Sequence, residues 1–185
     1  MSQLTREESH ELIDIAWQAL RMSVLCNGSY EGEPRHAALR EPMAAFVTLK
    51  HKENLRGCIG HLAPLDALYR TVAECAVAAA TRDYRFNGVT AEELPDIELE
   101  ISVLGPLEVI EDVGQIQVGV HGLLIEKGGC KGLLLPQVAV EHDLDRERFL
   151  ELTCRKAGLP LDAWKQGATI RIFTAQIIHA ETVDG

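Results

Sequence analysis

The sequence predicts an α/β protein of the α+β kind, with a mixed, mostly antiparallel sheet flanked by helices. Three observations carry this. The chain opens on apolar residues at helical spacing, strand-like runs then come in pairs joined by tight turns, and two more helical stretches separate those pairs. Strands joined by tight turns are hairpins, and hairpins build antiparallel sheets that helices cover. With 185 residues, 46% of them hydrophobic, the chain suffices for one domain with a proper core, spanning about 7–180.

Thr5-Arg6-Glu7-Glu8 matches the Ser/Thr-x-x-Glu capping box, which satisfies free amides at a helix start. Leu12, Ile15, Ala16, Ala19 and Leu20 then recur at helical spacing, and Asn27-Gly28 offers a stop, so a helix is expected over about 6–26. Residues 28–43, with Gly28, Gly32, Pro34 and Pro42, read as a loop. A strand over 44–50, a polar turn at 51–54 and a strand over 55–62 make a hairpin. Pro64-Leu65-Asp66 opens the next helix, whose stripe is Leu65, Leu68, Tyr69, Val72, Ala73, Ala76 and Ala80, and Arg82 to Phe86 ends it.

Leu99, Ile101 and Val103 alternate with Glu98, Glu100 and Ser102 as in a half-buried strand, and Gly105-Pro106 breaks it. Residues 107–118 carry no clear period. Val120 to Glu126 and Gly132 to Leu135 form a second hairpin around Gly128-Gly129, and Pro136 ends its latter strand. A helix from about Asp145 to Ala157 shows its spacing in Phe149, Leu152 and Lys156, with Gly158 and Pro160 as its stop. Ile170, Ile172 and Ile178 mark a long last strand.

Composition narrows the function. A formal net charge of -10 repels phosphate backbones, so no nucleic-acid partner is expected. No segment approaches the roughly 20 apolar residues of a membrane helix, and the first residues lack a signal-peptide pattern. A cytoplasmic protein without a membrane partner is the expectation. The five cysteines are odd in number and widely spaced, which argues against a disulfide framework or zinc finger. Cys26, Cys75 and Cys154 read as small buried hydrophobes and Cys130 as an exposed turn residue. His51, Cys58, His61 and His121 lack metal-ligand spacing, and no metal or cofactor is expected. Glu98 and Glu100 read as a solvated strand face.

The chemistry, if present, centres on Leu55-Arg56-Gly57-Cys58-Ile59-Gly60. Two glycines within a strand imply either a bulge or a backbone surface that a substrate touches. Arg56 and Cys58, two residues apart in a regular strand, share one face roughly 6–7 Å apart, and a guanidinium there favours the nucleophilic thiolate. A three-residue loop sets Thr48 opposite Cys58 and Lys50 opposite Arg56; a two-residue loop brings His51 to that face instead. His61 faces away from Cys58 in a straight strand and returns beside it, as a candidate base, only with a bulge at Gly60.

The hexapeptide also matches the hallmark of the AMMECR family. Further blocks follow in order: Asp83-Tyr84-Arg85-Phe86 resembles the family's Asp-x-Arg-Phe, Glu98 to Leu104 its Glu-Ile-Ser-Val-Leu strand, Gly119 to Leu123 its Gly-x-His-Gly segment, and Leu135 to Ala139 its Leu-Pro-Gln/Glu-Val-Ala segment. The tryptophan often found near 142–144 is absent, and His142-Asp143-Leu144 stands there. The resemblance implies a fold with a larger and a smaller lobe, and a protein similar to AmmeMemoRadiSam system protein A. Such proteins are similar to partners of a Memo-like protein and a radical S-adenosylmethionine enzyme.

Two readings result. In one, Cys58 is a nucleophile or covalent carrier aided by Arg56 and His61, with Leu55, Gly57, Ile59, Gly60, His121 and Gln137 contacting substrate. In the other, the chain is a binding or adaptor module that docks a partner protein through a cleft around the 55–60 strand and the 119–139 segment.

Overall fold

A computed structural model describes residues 3–179. The described residues divide into two compact units, a larger one of residues 3–104 and 176–179 and a smaller one of 105–175.

The larger unit opens with α1 (Arg6–Cys26), over the range its pattern predicts. The Glu8 N–H donates to the Thr5 hydroxyl, and the Thr5 N–H donates to the Glu8 carboxylate at 2.7 Å, so both halves of the capping box form. Its apolar stripe is buried, but Cys26 lies in the last turn beyond that stripe and is exposed, contrary to expectation. Cys75 and Cys154 are buried and Cys130 is exposed, as expected.

Strands β1 (Ala45–His51) and β2 (Asn54–His61) form the first hairpin. Lys52 and Glu53 make its two-residue turn, both at positive φ, the backbone that matches strand twist. The register then shifts between Leu49 and Lys50: Lys50 pairs with Leu55, but Leu49 pairs with Gly57 and Thr48 with Cys58. Arg56 is the extra residue of a bulge. The two registers open to the sequence therefore both occur, one on each side of Arg56.

Helix α2 runs Leu68–Thr81 and begins later than its pattern suggests. Ala67 forms an isolated bridge with Pro42, and the Leu68 N–H donates to the Glu41 carbonyl, so the chain stays extended to residue 67. Leu65 falls outside the helix and is 87% exposed. Strand β3 (Ile97–Leu104) pairs antiparallel with β1, setting Leu99 opposite Leu49 and Ile101 opposite Val47. The order is β2-β1-β3, with the last strand, β7 (Thr169–His179), beside β3. The buried face of these strands joins Leu12, Ala16, Leu20, Val72 and Ala76 in one core.

In the smaller unit, β4 (Glu108–Ile110) emerges from the stretch without a clear period. Strands β5 (His121–Lys127) and β6 (Cys130–Leu134) close around Gly128-Gly129 as expected. Both β4 and β5 pair antiparallel with β7. Pro136 not only ends β6 but starts a short helix, α3 (Pro136–Glu141), because a first-turn position needs no N–H. Helix α4 is Arg146–Lys156. Its buried residues are Phe149, Leu150, Thr153 and Cys154, so the predicted Phe149–Leu152–Lys156 spacing misplaces the core face by about a hundred degrees at Leu152.

Candidate functional site

Strand β2 lies at the edge of the larger unit's sheet, where backbone groups lack a neighbouring strand. At Cys58 that edge is closed by two side chains. The Cys58 N–H donates to Asp83 Oδ2 at 2.9 Å, and Arg85 Nη2 donates to the Cys58 carbonyl at 3.4 Å. Asp83 and Arg85 are themselves joined by a fork, Nη2 to Oδ2 at 2.6 Å and Nε to Oδ1 at 2.9 Å. The turn after α2 makes this possible: the Phe86 N–H donates to the Asp83 carbonyl, folding both side chains back onto β2.

Asp83 is 4% exposed. The hydrogen bond from the Arg85 guanidinium holds its carboxyl well below the usual range, and the Cys58 N–H adds to this against the opposing effect of burial. The Arg85 guanidinium is held protonated first by Asp83, and Cys58 lies near enough to contribute through its charge.

Cys58 is half-buried. Thr48, directly opposite on β1, donates its hydroxyl to Cys58 Sγ at 3.4 Å. On the other side Thr48 pairs with Glu100 of β3. Residues opposed in this way share a face, so Cys58, Thr48 and Glu100 form a row across three strands, roughly 5 Å per step. Lys50 Nζ lies 4.0 Å from Glu100 Oε2. Glu98 is exposed as expected, but the Glu100 side chain is 20% exposed and belongs to this row rather than to a solvated face.

The other expected site residues lie as follows. Arg56 Nε and Nη2 donate to Glu93 at 2.7 and 3.1 Å, while Nη1 and Nη2 donate to the carbonyls of Asn87 and Gly88. Its guanidinium fastens the segment after α2, and the cation at Cys58 is Arg85. Gly57 and Gly60 do make room, but for the chain itself. A Cβ at Gly57 would stand 2.1 Å from the Ala79 carbonyl oxygen, and one at Gly60 would stand 2.2 Å from the Phe46 ring. Ile59 packs on the core and Leu55 is exposed.

The register runs unbroken from Gly57 to His61, so no bulge forms at Gly60. His61 accordingly faces away from Cys58, and its Nε2 lies 3.9 Å from Glu74 on α2. His51 sits 3.7 Å from Asp96. His121 and Gln137 belong to the smaller unit: His121 Nδ1 accepts from the Gln117 N–H, and Gln137 is half-buried on α3. Among the described residues no group of three or more His, Cys, Asp or Glu is arranged to hold a metal, and no helix is long and apolar enough to cross a membrane.

Sequence reasoning set Thr48 opposite Cys58 in one of its two registers but missed Asp83, Arg85, Glu93 and Glu100 as site residues. The Asp-x-Arg-Phe block was the available signal for Asp83 and Arg85. An acid and an arginine two apart, just past a helix end, are placed to pair with each other.

The AMMECR1 family model matches residues 13–178. The chain is similar to a protein of Methanothermobacter thermautotrophicus, 42% identical over 96% of this chain and 97% of that one. It is also similar to a protein of Methanosarcina acetivorans, 38% identical over 98% of this chain and 96% of that one. The crystal structure of an uncharacterized Pyrococcus horikoshii protein superposes with a TM-score of 0.88 at 39% identity, covering 92% of this chain and 90% of that one.

Proposed function

The chain belongs to the AMMECR1 family, and from that membership we propose that Cys58 is its reactive centre, a nucleophile or covalent carrier positioned by Asp83 and Arg85. The observation that supports this is the double hold on Cys58. Asp83 and Arg85 take its N–H and its carbonyl, while Thr48 donates to its sulfur. A hydroxyl donor and a nearby guanidinium both favour a thiolate over a thiol. Arg56 and His61 are not part of this reading, because Glu93 and Glu74 engage them.

Alkylation by iodoacetamide tests it in a Cys26→Ser/Cys130→Ser background, with exposed Cys130 as the internal standard in a Cys26→Ser chain. The pH profile of Cys58 should lie on the acid side of that of Cys130. Arg85→Gln and Thr48→Val should each move it to higher pH and slow the rate at pH 7 by at least threefold, with Arg56→Ala near wild type. A Cys58 profile coincident with that of Cys130, or unmoved by Arg85→Gln, would refute the reading.

Exposed Leu55 and Tyr84, the latter 96% exposed, stand on the two segments flanking Cys58 and favour a docking role beside the chemical one. Strand addition is disfavoured at Cys58 itself, whose edge groups are already bonded. The partners we propose are a Memo-like protein and a radical S-adenosylmethionine enzyme, a proposal that rests on the family resemblance. Pull-downs comparing wild type with Cys58→Ser separate the roles: equal capture with lost pathway activity assigns chemistry, and lost capture assigns docking.

A further inference from the structure

Phe149, Leu150, Thr153 and Cys154 turn α4 toward the core of the smaller unit. Away from that core, Arg148, Leu152 and Arg155 stand at i, i+4 and i+7, and so form one stripe. They line a groove of about 440 Å³, and Leu144 and Leu161 extend its apolar floor. Leu161 is 49% exposed, and Leu144 and Leu152 are half-buried.

Both arginines are exposed, and among the described residues neither guanidinium has a hydrogen-bond or ion-pair partner. Arg35, Arg40, Arg56, Arg85 and Arg171 all have carboxylate partners. In a chain with 28 acidic and 18 basic residues, two unpaired arginines over a leucine floor mark a local reversal of charge.

We propose that this groove docks an acidic amphipathic helix of a partner protein, through two carboxylates at i and i+7 with apolar residues between them. Helix geometry sets the spacing. Seven residues rise roughly 10.5 Å, so carboxylates at i and i+7 reach both arginines when the two helices lie alongside one another. The leucines between receive the ligand's apolar side chains. Glu151 also lines the groove between the arginines, so a third carboxylate at the centre is repelled, which sets the acid–apolar–acid order. Nucleic acid fits less well, because the chain's net negative charge repels a continuous phosphate backbone while a short acidic helix meets only the local arginines.

The test uses the full chain and an alanine-rich, fluorescein-labelled helical peptide with Glu at i and i+7 and Leu at i+3 and i+4. Its control has Gln for both Glu. Anisotropy should show saturable binding that weakens at least tenfold with the control peptide, with Arg148→Ala/Arg155→Ala, and with salt raised from about 50 to 500 mM. Leu152→Ala should weaken it at least threefold, with circular dichroism showing that both variants fold. Equal binding of the two peptides, equal binding by wild type and double variant, or no saturation at millimolar concentration overturns the proposal. So does tighter binding of a single-stranded oligonucleotide at the same arginines. So does a dimer that the double variant abolishes, which assigns the groove to a second copy of the chain.

Discussion

Gly57 lies against the Ala79 carbonyl, and a backbone atom of α2 is the neighbour least able to move aside. Gly57→Ala should therefore lower stability by about 2 kcal/mol or more, within the range of overpacked cores, as read from the urea midpoint. Cys58→Ser, one residue on, should cost less than about 1 kcal/mol because Cys58 is only half-buried. A Gly57→Ala chain with an unchanged midpoint would mean that α2 adjusts freely. A second residue-scale contrast concerns thiols. Burial pushes Cys75 up to about 12, so it should stay unlabelled at pH 8 in the native protein while Cys26, Cys58 and Cys130 react. At this scale the sequence was legible where partners are local in the hairpin: Thr48 opposite Cys58 was one of the two registers it allowed. It was not legible for Arg56, whose carboxylate lies 37 residues away: the strand glycines signal a bulge but not that Arg56 is its extra residue.

Helix α1 carries a buried acid, Glu11, on its apolar face, and that acid holds the loop before β1. Its carboxylate accepts the N–H of Arg35 at 2.6 Å, the N–H of His36 at 3.0 Å and His36 Nδ1 at 2.5 Å. Burial pushes Glu11 up, but these donors together outweigh it and bring the group down from 4.5 to about 2. A carboxyl depressed in the fold stabilises above its unfolded value, and that stability disappears as pH falls through the folded one. Glu11 thus contributes about 3 kcal/mol at pH 7, lost between about pH 4.5 and 2. Glu11→Gln should be roughly 2–3 kcal/mol less stable than wild type at pH 7 in urea unfolding, and the gap should close toward pH 2. A gap independent of pH would show that packing, not charge, is what the substitution removes. The helix itself was legible to the residue, since its capping box and its Asn27 stop are local devices. The onset of α2 was not, because it depends on Pro42 bridging Ala67. The orientation of α4 was misread for a related reason: Leu152 has the right spacing for a core, but the floor it forms is a groove.

Carboxylates held down by hydrogen-bonded partners recur through the larger unit. Glu11, Asp83 and Glu93 all lie in the larger unit, Glu93 lowered to about 2 foremost by the Arg56 guanidinium and Asp83 held well below its usual range by Arg85. In the smaller unit Glu126 is likewise paired, with Lys131 and Arg171. Clusters of this kind need chain segments far apart in sequence, which is why net charge alone could not show them. The consequence is that acid removes stability from the larger unit. Between about pH 4.5 and 2 the larger unit loses the stability of the native Glu11 and Glu93 carboxylates, and that of Asp83 goes at still lower pH. Hydrogen exchange, expressed as protection factors so that intrinsic rates cancel, should show β1, β3 and α2 falling at least about a hundredfold from pH 6.5 to pH 3. Glu93→Gln should lower the protection of the larger unit at pH 6.5 and reduce its further fall on acidification. Unchanged protection of β1, β3 and α2 between these pH values would place the acid-labile contacts outside these carboxylates.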